Sequence, residues 1–191
     1  MYVNKCIKCG TEFEMSGHDD VIECKHCGNG AHMDDYYEFH KFNDDCVIPE
    51  SPSKWVAQER IDVIKEIRAN PNYSFKEKCK VGDIPETHWI KNKQTSEICG
   101  EGEITIDHSG IHFKGTKRGA EFNFDLTYQV IFSLVIVTCP DHFALYINGK
   151  FHEFFPERDS TGKMLLLVEE MHRLHVNEWK NFPWNDYMYI E

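Results

Sequence analysis

Positive charge is scarce in this chain. Its 21 Lys and Arg face 32 Asp and Glu, giving a net charge of −11. A nucleic-acid backbone is repelled by that balance, which removes nucleic-acid binding from the leading function classes. Long apolar runs are missing too. The longest, Val130 to Val137, falls far short of the roughly 20 residues a spanning helix needs. Met1 to Gly10 has no apolar segment of the signal-peptide kind. No internal repeat or low-complexity tract is visible. Catalytic signatures are also lacking, with no G-x-S-x-G elbow and no H-E-x-x-H. The segment Gly110-Ile111-His112-Phe113-Lys114-Gly115-Thr116-Lys117 resembles a phosphate-binding loop only in outline. Its Lys and Thr are in the wrong order, and no helix is expected after it. These absences lean away from an enzyme and point to a cytoplasmic protein.

Cysteine, by contrast, is plentiful and patterned. Cys6-Ile7-Lys8-Cys9-Gly10 and Cys24-Lys25-His26-Cys27-Gly28 are two copies of C-x-x-C-G. Each places two thiolates on one tight turn, and the glycine lets the backbone fold under a metal. Two such turns on facing hairpins supply four sulfurs in a tetrahedron, the closed geometry of structural zinc. The same sulfurs also suit a single iron, with zinc the better fit. Four ligands leave no position for a reacting water, so the expected Zn2+ is structural. The other cysteines, Cys46, Cys79, Cys99 and Cys139, show no pairing pattern and read as reduced thiols.

Composition along the chain divides it in three. Residues 1–48 read as a zinc ribbon, with Ala31 to Phe42 supplying its last strand. Residues 49–75 read as a linker helix running from about Ser53 to Ala69. Ser51 or Ser53 is its cap, Pro52 sits in its first turn, and Asn70-Pro71-Asn72 ends it. Its expected apolar stripe is Ala57, Ile61 and Ile64, widened by Val56, Val63 and Ile67. Residues 76–191 read as a β domain with a C-terminal helix and an aromatic tail. Strands are expected at 103–107, 111–114, 120–126, 128–139, 143–147 and 150–155, with a type I′ turn at Asn148-Gly149. Ser160 or Thr161 caps the final helix, whose buried face is expected to hold Met164, Leu167, Val168, Met171 and Leu174. Trp179 to Tyr189 is expected to pack back on the domain. The fold class is therefore α+β, mainly β. It resembles a small antiparallel barrel of the pleckstrin-homology superfold, in its GRAM-like bacterial forms.

One further constellation is chemical. Lys114, Lys117 and Arg118, with His112, cluster around a strand-to-strand loop and can grip a phosphate by charge-assisted hydrogen bonds. That makes an anionic lipid headgroup a candidate ligand, against the plain reading of a solvated basic turn. His172 and His175 have a metal-ligand spacing on the last helix but lack an evident third ligand. His26 lies inside the second knuckle and is expected to face solvent; His18 and His32 lie nearby.

Taken together, CIKCGTEFEMSGHDDVIECKHCGNGAHMDDY, SPSKWVAQERIDVIKEI and GEGEITIDHSGIHFKG resemble the C-terminal extension of some bacterial 1-acyl-sn-glycerol-3-phosphate acyltransferases. In those proteins a zinc ribbon, a Trp-bearing helix and a β-rich domain follow the membrane-associated catalytic domain. The resemblance implies a phospholipid-synthesis context and a protein partner, with peripheral placement at the inner face of the membrane. It supplies no catalytic residue here, because the catalytic domain belongs before the ribbon and Met1 lies five residues before Cys6. His40 and Asp45 form only a bare H-x-x-x-x-D in a polar loop. The leading expectation is a non-catalytic, zinc-binding accessory module. The alternatives are an acyltransferase fragment and a protein-interaction module unrelated to lipid.

Overall fold

The computed structural model describes residues 3–84, 96–134 and 141–176. The N-terminal part is a four-stranded antiparallel sheet in sequential order: β1 (Met15–His18), β2 (Val21–Cys24), β3 (Gly30–Met33) and β4 (Phe39–Lys41). β1 and β2 meet across the two-residue turn Asp19-Asp20, with Asp19 in the left-handed region at φ 50°. This sheet is too small to bury much apolar surface by itself. Its inner side chains Met15, Ile22, Cys24 and Ala31 share a cluster with Val3, Cys6 and one residue from beyond the ribbon, Trp55.

Trp55 lies on α1 (Pro52–Ala69). Ser51 caps this helix, its side chain accepting from Lys54 N at 3.5 Å, and Pro52 takes the first position. Its buried residues are Trp55, Glu59, Val63, Ile64 and Ile67. The stripe therefore runs at steps of four from Trp55, and Ala57 is exposed. Of the expected stripe Val63, Ile64 and Ile67 are buried and Val56 and Ile61 half-buried, but Trp55 and Glu59 take the place of Ala57 because the helix serves two cores at once. Trp55 is fully buried in the ribbon cluster, its Nε1 donating to Lys5 O at 3.0 Å and its ring meeting Phe39 edge-on. Val63 and Ile67 belong to the core of the β domain. Glu59 sits between them and is almost fully buried. Its Oε1 accepts from the backbone N of Asn4 (2.6 Å) and Lys5 (2.7 Å), and Oε2 from Asn4 Nδ2 at 3.3 Å.

The β domain comprises β5 (Ser74–Asp83), β6 (Glu97–Asp107), β7 (Gly110–Lys117), β8 (Ala120–Leu126), β9 (Phe143–Ile147), β10 (Lys150–Pro156) and α2 (Thr161–Val176). Its antiparallel sheet has the order β8-β7-β6-β5-β10-β9. A four-strand meander is thus joined by a hairpin that returns beside the first strand, and a C-terminal helix packs over the curled sheet. That is a pleckstrin-homology-like arrangement. β5 is the central strand and alternates strictly, with Phe75, Glu77, Cys79 and Val81 buried and Lys76, Lys78 and Lys80 exposed. Inside, Phe113 stacks on Phe124 and meets Phe154 edge-on, beneath Met164, Leu167, Val168 and Met171 of α2. The Asn148-Gly149 turn has the positive φ values of type I′, 52° and 74°. Arg118-Gly119 makes a second such turn, at 53° and 77°, which the sequence marks only weakly.

Two sequence expectations need correction here. The described part of 128–139 is not a strand. Tyr128, Ile131 and Leu134 are buried at intervals of three, in turns begun by Val130 N donating to Thr127 O. A continuous apolar run fits either period, and here the turn period prevails. Leu174 is 40% exposed, and His172 is buried instead. Residues 135–140 and the aromatic tail from Trp179 lie outside the described residues.

Ion pairs bind the parts together. Lys163 of α2 is buried and reaches Glu12 of the ribbon (2.6 Å) and Glu66 of α1 (3.1 Å). Arg60 of α1 pairs with Glu169 (2.8 Å) and Glu170 (2.6 Å) of α2.

Trp55→Ala would open a cavity in the ribbon core and remove the donor to Lys5 O. We expect a loss of about 3–5 kcal/mol, read from urea denaturation. Glu59 gives a second expectation. Burial raises its carboxyl from the ordinary 4.5 to about 7, against the opposing pull of the Lys5 and Asn4 donors. The folded state thus holds this proton more tightly than the unfolded chain. The resulting stability is fully present below pH 4.5 and is lost as pH rises through about 7. Glu59→Gln should flatten that decline in urea midpoint, and identical pH slopes for both proteins would refute the assignment.

Candidate metal centre

The two knuckles are built alike. Gly10 N donates to Cys6 O and Gly28 N to Cys24 O, both at 2.8 Å. Cys6 N donates to Thr11 O at 3.0 Å and Cys24 N to Asn29 O at 2.9 Å. Gly10 and Gly28 hold φ at 74° and 70°, which the turn requires and a side chain disfavours. One knuckle precedes β1, and the other begins at the end of β2, so pairing β1 with β2 sets the two turns face to face. Met15 lies opposite Cys24 in that register.

All four ligand sulfurs lie within 4.8 Å of one another. Cys6 Sγ is 3.7 Å from Cys27 Sγ, and Cys9 Sγ is 3.8 Å from Cys24 Sγ. Sulfurs bound at about 2.3 Å around one tetrahedral ion stand about 3.8 Å apart. A disulfide, with sulfurs at about 2.05 Å, is a different geometry, and these cysteines are free thiols. The donor set therefore fits a thiolate-preferring ion in a closed site. Cys6 and Cys24 form the inner wall, packed in the Trp55 cluster, while Cys9 and Cys27 face outward. Burial pushes the Cys24 thiol up to about 12, and the Thr11 hydroxyl, 3.3 Å from Cys9 Sγ, helps draw Cys9 down to about 6.

Asn29 supports the centre and escaped sequence reasoning. It is fully buried; its Nδ2 donates toward Cys6 Sγ at 3.6 Å and to Val47 O at 2.9 Å, and its Oδ1 accepts from Val47 N at 2.7 Å. It fastens the chain beyond β4 to a ligand sulfur. The repeated phase, Thr11 after Gly10 and Asn29 after Gly28, was the available signal. His26 is exposed, as expected.

Of the basic residues singled out in the β domain, Lys117 and Arg118 meet at Asp83, while Lys114 and His112 lie apart from them. Lys117 Nζ meets Asp83 Oδ1 at 2.6 Å and His152 Nδ1 at 2.8 Å, and Arg118 reaches Asp83 Oδ2 at 3.4 Å. Burial alone would raise the Asp83 carboxyl, but Lys117 and His152 hold it below its ordinary value. Lys114 projects from the other face of β7, with Glu103 directly across on β6. His112 lies between Asp125 (2.5 Å) and Asp107 (3.4 Å). Asp83 was the missed residue, because it lies far away in sequence from the bases it neutralises.

His172 and His175 also part company. His172 Nδ1 is 2.8 Å from Tyr128 O inside the core, and His175 Nε2 is 3.0 Å from His108 Nδ1. His40 pairs with Asp34 at 2.8 Å, not with Asp45. Among the described residues no helix is long and apolar enough to cross a membrane.

No protein-family model matches this chain, and neither does any curated protein. Among solved structures, the Ran-binding domain of the nuclear pore component NUP2 from Ashbya gossypii is similar at 14% identity and a TM-score of 0.37. That match covers 52% of this chain and 94% of the domain. A likeness of that size carries no functional argument.

Cys24→Ser should abolish stoichiometric metal binding and lower the melting temperature. Because ligation must expel the Cys24 proton, apparent metal affinity should fall as pH falls. Competition against a chromophoric chelator at several pH values reads both effects.

Proposed function

We propose that this chain is a non-catalytic interaction module in which a structural zinc ion holds the ribbon in place. The reading is carried by one observation, the closed four-sulfur arrangement whose inner wall is part of the Trp55 core. An ion held by four thiolates has no open position for substrate, so its contribution is folding free energy. Zinc is preferred over iron on the donor chemistry common to structural ribbons. Four thiolates and one Zn2+ carry a net −2, which adds to an already acidic chain.

The partner is a protein in this reading. Lys117, Arg118 and His112 each lie within 3.4 Å of a carboxylate oxygen, and Lys114 faces Glu103 across the strand pair. At Lys117, Arg118 and His112 an anionic headgroup would have to compete with those carboxylates, which weakens the lipid reading. The likeness to acyltransferase extensions supplies one kind of partner, the catalytic domain of a phospholipid-synthesis enzyme. It is part of the proposal and rests on the motifs quoted above.

Two measurements test this reading. Elemental analysis should return one zinc per chain; a red protein with thiolate–iron absorption would replace zinc with iron. Co-sedimentation with anionic vesicles at physiological salt should leave the metal-loaded chain in the supernatant. Binding that is lost in a Lys117→Ala, Arg118→Ala double variant would turn the module into a membrane-targeting one.

A further inference from the structure

A groove of ≈450 Å³ crosses the ribbon sheet beside the first turn of α1. Its apolar lining includes Val3, Ile22, Met33, Phe39 and Val56, from the N-terminal segment, β2, β3, β4 and α1. That volume lies within the range of about 300–1,000 Å³ typical of ligand sites. One end is sharply different. There the β1–β2 turn contributes Asp19 and Asp20 to the lining, both exposed. His32 Nδ1, 3.0 Å from Asp20 Oδ2, draws the Asp20 carboxyl below its ordinary value and keeps it ionised, so a partner's base would meet Asp20 alongside that imidazole. Among the described residues β1 pairs only with β2, which leaves its outer edge able to receive another strand.

From these features we infer that the groove docks an extended segment of a partner protein, with a bulky apolar side chain followed or preceded closely by Lys or Arg. The apolar floor takes the large side chain, the Asp19–Asp20 end takes the base, and the β1 edge offers main-chain hydrogen bonds. The sign of the partner follows from charge complementarity, locally from the two aspartates and globally from a chain of net charge −11. This inference rests on the interaction-module reading and narrows it to one surface.

The test uses the full metal-loaded chain as bait for a displayed library of random short peptides. Enriched peptides are then measured by fluorescence anisotropy. Two variants are compared with wild type: Met33→Lys, which fills the floor, and Asp19→Asn with Asp20→Asn, which removes the charge. Melting temperature and metal content confirm that each is folded. The expected result is enrichment of apolar–basic peptides whose affinity falls by about tenfold or more in Met33→Lys. The aspartate variant should weaken them several-fold, with a reduced salt dependence. Enriched peptides indifferent to both variants would overturn the groove while leaving the interaction reading intact. An absence of enrichment, or self-association lost in Met33→Lys, would overturn the peptide occupant; the second result would assign the groove to another copy of this chain.

Discussion

Helix α1 has to bury itself twice along one face, and most of the architecture follows from how it does so. At its N-terminal end Trp55 completes a ribbon core that four short strands cannot close. Two turns further on, Val63 and Ile67 enter the core of the β domain. The residue between them is Glu59, and a carboxylate at that junction would be costly without donors. Asn4 and Lys5 supply three. The N-terminal segment is therefore fixed to the helix by polar bonds immediately before Cys6, the first cysteine of the knuckles. Position and chemistry are coupled here: the groups that seat the ribbon on α1 also set where the first knuckle begins.

Charge in this protein is used internally before it is offered to solvent. Lys163 joins ribbon, α1 and α2 through Glu12 and Glu66, and Arg60 joins the two helices through Glu169 and Glu170. Asp83 takes up Lys117 and Arg118 at the rim of the sheet. Such pairing neutralises some of the few bases, and the 32 acids against 21 bases leave carboxylates in excess. Breaking one partner of a buried pair costs far more than an exposed pair contributes, so these contacts act mainly as constraints on geometry. The outcome is a molecule whose free electrostatic character is negative.

Much of this was legible in the sequence. The knuckles were readable because each element of C-x-x-C-G has one steric job, and the turn at Asn148-Gly149 because few dipeptides adopt it. Strands 120–126 and 143–147 were bounded correctly because turn residues flank them. What remained hidden depends on long-range partners. Val63, Ile64 and Ile67 of the α1 stripe were legible, whereas Trp55 and Glu59 were not, because the ribbon core they meet is a long-range partner and a buried Glu59 looks like a surface residue in sequence. Tyr128 to Leu134, the described part of that run, was read as a strand because an apolar stretch packed under a helix has no distinguishing period. The counter-charge of the basic loop, Asp83, was not legible because it sits on β5, far away in the chain.

The ribbon contributes more than a metal site to this arrangement. Val3, Ile22, Met33 and Phe39 line a groove closed on its other side by Pro52 and Val56 of α1. Neither wall exists without the other, since the sheet is seated on the helix through Trp55, and Cys6 and Cys24 are part of the same packed cluster. An ion that fixes those two sulfurs also fixes the distance between sheet and helix. Without an ion there, Cys6 and Cys24 would lack tetrahedral constraint, the cluster around the indole would loosen, and the groove would widen. A structural metal at these four sulfurs would thus govern a surface it does not touch, through packed side chains rather than through any chemistry at the ion.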